Sequence, residues 1–121
     1  MEITTDINRI NQILTEYQGD KAEMWLFDIS HIRLAIKIYS KRKDDVPFLV
    51  MIGCKYIKGT FMLDNPKLSV KKDFDTEGSE VIFKIIDDVR DFELISTGGI
   101  ALAKGVESEF GDSFEGFLLE K

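Results

Sequence analysis

Apolar residues recur at steps of three and four from Ile7 through Ile10, Ile13 and Leu14 to Tyr17, which is the spacing of one helix face and predicts a helix over about 6–18. Thr5 or Asp6 is placed to accept from the first-turn amides, and Gly19 suits the left-handed position that follows a helix C-terminus. After Lys21 the period changes. Residues 24–29 are dense in apolar and aromatic side chains and predict a strand, closed by a turn at Asp28-Ile29-Ser30-His31. Beyond it Ile32, Leu34, Ile36 and Ile38 alternate with Arg33, Ala35, Lys37 and Tyr39, the pattern of a half-buried strand. Residues 40–45 carry no apolar side chain and read as a solvated loop. The continuous apolar run 48–54 predicts a central strand covered on both faces, in which Gly53 marks a bulge or a close approach.

Residues 60–63 lead to a turn at Asp64-Asn65-Pro66, after which Leu68-Ser69-Val70 resumes a strand. A polar loop is expected over 71–80. Three further extended stretches follow at 81–86, 92–95 and 100–104, the last two joined by a turn at Ser96-Thr97-Gly98-Gly99. Val106, Phe110, Phe114, Phe117 and Leu118 return to helical spacing and predict a C-terminal helix over about 106–119, in which Gly111 and Gly116 each cost about 1 kcal/mol. One helix followed by strands about ten residues apart implies antiparallel topology instead of βαβ units. The expected architecture is a single α+β domain, 1–121: an N-terminal amphipathic helix packed on a mainly antiparallel sheet of about six to eight strands within 22–104, able to curl into a partial barrel.

Composition narrows the class. The chain has 121 residues, 44% hydrophobic and 31% charged, which suits one globular core. A single cysteine, Cys54, excludes an intrachain disulfide, and with one histidine, His31, it excludes a tetrahedral Cys/His zinc site within one chain. The first residues have no basic region followed by an apolar stretch, so no signal peptide is expected, and the longest apolar run is far short of a membrane span. These features predict a cytoplasmic protein with no membrane association.

The net charge of −6 speaks against nucleic acid as a partner. It is unevenly spread. Residues 21–72 hold 11 basic and 5 acidic residues, whereas residues 73–121 hold 4 basic and 13 acidic ones. Either the two parts neutralise each other across neighbouring strands, or the acidic part steers a basic partner to the surface.

Candidate chemistry is sparse. Cys54 and His31 are the residues able to form a thiolate–imidazole pair, but Cys54 ends an apolar run, where cysteine behaves as a small buried hydrophobe. Asp73, Asp75 and Glu77 followed by Gly78 copy the start of a calcium loop, yet the twelfth position is Lys84 where a bidentate carboxylate belongs. Asp87, Asp88, Asp91 and Glu93 gather four carboxylates within seven residues around a hairpin turn, where solvated charges are the simpler reading. The glycines of 96–99 lack the Lys-Ser/Thr ending of a phosphate loop. The basic group Lys41-Arg42-Lys43, with Lys55, Lys58, Lys71 and Lys72, matches solvated loops and lysine-protected strand edges. No catalytic residue, metal or cofactor is assigned.

The functional expectation is therefore a non-catalytic interaction module of the adaptor or toxin-neutralising kind, presenting its acidic C-terminal third to a basic protein. Its partner-binding residues are Glu107, Glu109, Phe110, Asp112, Phe114, Glu115, Phe117 and Leu118, large apolar anchors interleaved with acids. The alternative is a small-ligand or metal-binding protein with a sheet cavity, or a minor carboxylate enzyme with Asp87, Asp88, Asp91 or Glu93 at its mouth. A homodimer through unpaired sheet edges is the third possibility.

Overall fold

A computed structural model describes residues 2–17, 20–30, 32–74, 78 and 80–106. The described elements run β1 (Glu2–Thr4), α1 (Ile7–Glu16), β2 (Lys21–Asp28), β3 (Arg33–Tyr39), β4 (Asp45–Lys58), β5 (Met62–Asp64), β6 (Ser69–Phe74), β7 (Val81–Asp87) and β8 (Phe92–Val106). The eight strands form one antiparallel sheet in the order β5-β2-β3-β4-β8-β7-β6, with β1 paired to the end of β8, and it curves into a half-barrel. Two meanders, β2-β3-β4 and β6-β7-β8, are joined by the long β4–β8 pair. β5 returns to the outer edge of β2.

The helix begins where Asp6, in extended conformation, accepts from Asn8 N, and ends at Tyr17. Its Ile10, Ile13 and Leu14 are buried in the larger of two apolar clusters, with Ile36, Leu49, Leu94 and Leu102 of the sheet. A smaller cluster, Ala35, Val46, Phe48, Val50 and Ala103, occupies the opposite face of the central strands. β4 is thus covered on both faces in the middle of the sheet, as the apolar run predicts.

Several elements differ from the pattern-based expectation, each for a physical reason. The sheet extends beyond 22–104: β1 precedes the helix, held by the register Ile3↔Ala103, and three residues are too few to show a period. β3 is not half-buried, because Ala35 and Lys37 are buried together with Leu34, Ile36 and Ile38. Lys37 is tolerated there with its Nζ 4.2 Å above the Trp25 ring and 5.3 Å from that of Tyr39. The polar stretch expected as a loop from residue 71 continues β6 to Phe74, an edge strand whose lysines face solvent. Residues 96–99 are no turn: β8 runs through them unbroken. Val106 belongs to β8, and the helix expected beyond it, 107–119, lies outside the described residues.

Candidate binding cleft

Two bulges shape the open end of the half-barrel. Residues directly opposite in neighbouring strands share a face, so each register shift moves the following side chains across the sheet. In β4, Cys54 pairs with Ser96 and Tyr56 with Ile95, leaving Lys55 as the extra residue; Ile57 then falls opposite Leu94, over the core. In β2, Met24 pairs with Ile36 and Leu26 with Ala35, leaving Trp25 extra; Phe27 then falls opposite Leu34, again on the core side. A third irregularity sets one residue of β4, Gly53, against Thr97 and Gly98 of β8, between the pairs Ile52↔Gly99 and Cys54↔Ser96.

Helix length does the rest. The ten residues of α1 span about 15 Å, whereas the fourteen of β4 run about 46 Å. One short helix covers only part of such a face. The uncovered part is a cleft of about 500 Å³. Its floor is core surface, Met24, Leu34, Cys54 and Leu94, and its rim is Phe27, Ile32, Tyr56, Ile57 and Phe61. These five rim side chains are all exposed, Phe27 by 58% and Phe61 by 78%, an unusual grouping of large apolar residues in water.

The cleft offers few polar groups. Burial pushes the Cys54 thiol up to about 11, and its Sγ lies 3.9 Å from Met51 O, so it is an uncharged floor residue at neutral pH. His31, the one histidine of the sequence and so the one imidazole weighed as a base for Cys54, lies outside the described residues. Lys55 is the charged residue of the lining, exposed and in no ion pair with another described residue. Trp25 lines the wall while its ring packs edge-on against Phe48, 6.3 Å between centroids, and its buried Nε1 has no hydrogen-bond partner among the described residues.

The other sequence candidates are dispersed. Asp87 is buried and accepts from three backbone amides: Lys67 N at 2.8 Å, Val89 N at 3.0 Å and Arg90 N at 3.1 Å. It pins the β7–β8 turn to the segment before β6 and is not available as an acid or base at a cavity mouth. Asp88 is exposed on that turn, and Asp91 is bound by Lys58 at 3.0 Å. Asp73 lies within β6, 3.7 Å from Lys84, instead of opening a loop; Asp75 and Glu77 lie outside the described residues. Among the described residues no three His, Cys, Asp or Glu side chains group to hold a metal ion. Lys41, Arg42 and Lys43 sit in the exposed β3–β4 connection, with Lys43 Nζ 3.9 Å from Glu16. Glu107, Glu109, Phe110, Asp112, Phe114, Glu115, Phe117 and Leu118 all lie outside the described residues.

The pattern of single residues misses the cleft itself, because its lining comes from four strands and two connections. Two local signals point to it: Phe61 is an isolated aromatic beside a Gly-Thr pair, and the adjacent Tyr56 and Ile57 break the alternation of a one-sided strand. Among the described residues no helix is long and apolar enough to cross a membrane. Comparison of the chain with protein families, with curated proteins and with solved structures found no match.

Proposed function

We propose that this chain is a non-catalytic binding protein and that the cleft at the open end of the half-barrel takes a small apolar molecule. The observation that carries this reading is the continuity of the cleft with the core: floor residues of the main apolar cluster are ringed by five exposed apolar side chains. Its volume of about 500 Å³ is in the range of small-molecule sites, and its lining is apolar with few polar groups, as such sites are. Among the described residues the lining holds no carboxylate: Cys54 in it keeps its proton, and Asp87, outside it, is committed to backbone amides.

Trp25, the chain's only tryptophan, makes the test direct. Titration with a neutral apolar probe such as dodecan-1-ol is expected to shift Trp25 emission. The same probe at a hundredfold over its dissociation constant stabilises the fold by about 2.7 kcal/mol. Unchanged emission together with an unchanged unfolding midpoint across a panel of apolar probes removes this reading.

A second reading keeps the acidic part of the chain as a surface for a basic protein. In its favour, Lys58–Asp91 is the ion pair between described residues that crosses the charge division, Glu93 standing opposite the same Lys58, while Glu80 and Asp88 form no ion pair with a described residue. Pull-down with the full chain and with a variant carrying Glu107→Gln, Glu109→Gln, Asp112→Asn and Glu115→Gln tests it. An identical set of captured proteins rejects it.

A further inference from the structure

We infer that the molecule taken by the cleft is a free amphiphile with one anionic head on an apolar body, and that Lys55 receives the head. This rests on the cleft being a ligand site, and three observations carry it from there.

The first is the bulge. Lys55 is the extra residue between the pairs Cys54↔Ser96 and Tyr56↔Ile95, so it has no cross-strand partner in β8. Bulges re-aim side chains, and this one sets a lysine on the cleft instead of within the ladder. The second is charge. Lys55 is the charged residue among those lining the cleft, and no described carboxylate lies within ion-pair distance of it. Its neighbour Lys58, three residues on, is by contrast held by Asp91 at 3.0 Å. On a chain of net charge −6 an uncompensated lysine beside an acid-free apolar cleft is a local reversal of sign. The third is shape. A lysine lays its aliphatic stem along an apolar rim and keeps its ammonium in water, which matches a ligand whose body is buried and whose head stays at the mouth. A carboxylate, phosphate monoester or sulfate head satisfies these conditions; a neutral or cationic head does not.

The competing role for Lys55 is protection of the β4 edge, which β3 leaves after the pair Arg33↔Ile52. The experiment separates the two. The full chain, its Lys55→Met variant and its Lys55→Glu variant are titrated through Trp25 emission with dodecanoate, dodecan-1-ol and dodecyltrimethylammonium, each below micelle formation. Because Lys55 is exposed, all three proteins are expected to unfold at the same temperature. In the unmodified chain dodecanoate is expected to bind about fivefold more tightly than the alcohol, the size of an exposed charge pair. Lys55→Met abolishes that preference and Lys55→Glu transfers it to the cation.

Equal binding of acid and alcohol by the unmodified chain, or a preference that survives Lys55→Met, overturns the inference while leaving the cleft as a neutral-ligand site. Binding of none of the three overturns both. Co-sedimentation with phosphatidylglycerol vesicles distinguishes the source of the head: sedimentation lost in Lys55→Met, without binding of free dodecanoate, assigns Lys55 to a bilayer surface and overturns the free amphiphile. Self-association that appears only in the variants, with no change in ligand preference, assigns Lys55 to edge protection.

Discussion

Gly53 of β4 and Gly98 of β8 meet face to face where the two longest strands bend together. A Cβ on Gly98 would stand 2.7 Å from Ile52 O, and one on Gly53 would stand 3.0 Å from Gly98 N; Gly53 also has φ +71°. Thr97 Oγ1 closes the contact by donating to Gly53 O at 3.3 Å. The bend carries Cys54, Ile57 and Leu94 into the cleft, so the two glycines set the geometry of the candidate site as well as the curvature of the sheet.

Gly98→Ala forces a methyl group against a backbone carbonyl that has no rotamer to escape into. It is expected to lower stability by about 2 kcal/mol, as overpacking does, and to weaken probe binding at Trp25. Gly99, whose added Cβ would meet nothing within 4 Å but whose φ is +120°, isolates backbone strain from steric clash. Urea unfolding of the Gly98→Ala and Gly99→Ala variants measures the two costs separately. A Gly98→Ala variant as stable as the unmodified chain removes the close approach as the reason for glycine.

Asn11 ties the helix to the edge strand β6. Its Nδ2 donates to Val70 O at 2.9 Å and its Oδ1 accepts from Val70 N at 2.7 Å, so a side-chain amide takes the place of a neighbouring strand. Asn11→Ala leaves both backbone groups of Val70 without that partner and is expected to cost about 2 kcal/mol. Asn11→Asp retains the acceptor and loses the donor, and is expected to fall between the two. Hydrogen exchange of the Val70 amide reads the contact directly and is expected to accelerate in the alanine variant.

How much of this was legible in the sequence follows from the length scale of each signal. The apolar run at 48–54 identifies the central strand, and the threefold and fourfold spacing of Ile10, Ile13 and Leu14 identifies the helix, because both are periodic over local windows. Gly98 and Gly99 resemble a hairpin turn and predict two strands where β8 is one; the pairing of Gly53 with that stretch, some 45 residues away, is what makes it an irregularity within a single strand. Lys37 alternates like a solvent-facing residue, and it is Trp25 of the neighbouring strand β2, beside Tyr39 two residues on in β3 itself, that supplies its surroundings. The cleft was illegible for the same reason. Phe27, Ile57 and Phe61 each look like ordinary strand or loop residues, and only two bulges and the shortness of α1 bring them round one uncovered floor.

Cys54 gives a chemical check on that floor. With its thiol pushed up to about 11 by burial, its thiolate fraction at pH 8 is about a hundredfold below that of free cysteine. Alkylation by iodoacetamide is therefore expected to be slow at pH 8 and to rise about tenfold per pH unit until near pH 11. Dodecan-1-ol in the cleft is expected to slow it further and, by burying the thiol more deeply, to move the midpoint of the pH profile up. Reaction at the rate of free cysteine would place the thiol in water and contradict the packed floor.

The same burial sets the alkaline limit of the fold. Tyr17 is fully buried at the end of α1, its hydroxyl donating to Asp45, and burial together with that carboxylate raises its phenol well above the usual range near 10. Cys54 shifts in the same direction. Both groups stay protonated in the folded chain at pH values where the unfolded chain has begun to lose the protons, so above about pH 8, where a free thiol begins to ionise, the unfolded state binds fewer protons and stability falls with pH. Below that pH neither group distinguishes the two states. Urea midpoints are expected to be level from pH 7 to 8 in these two respects and to drop between pH 8.5 and 10.5. Cys54→Ala removes the earlier part of the drop. Tyr17→Phe costs about 1 to 2 kcal/mol at pH 7, because it takes the donor from Asp45, and then flattens the later part of the curve. A Tyr17→Phe variant whose stability falls as steeply as the parent's between pH 9.5 and 10.5 would show that the phenol ionises no later in the folded chain than in the unfolded one.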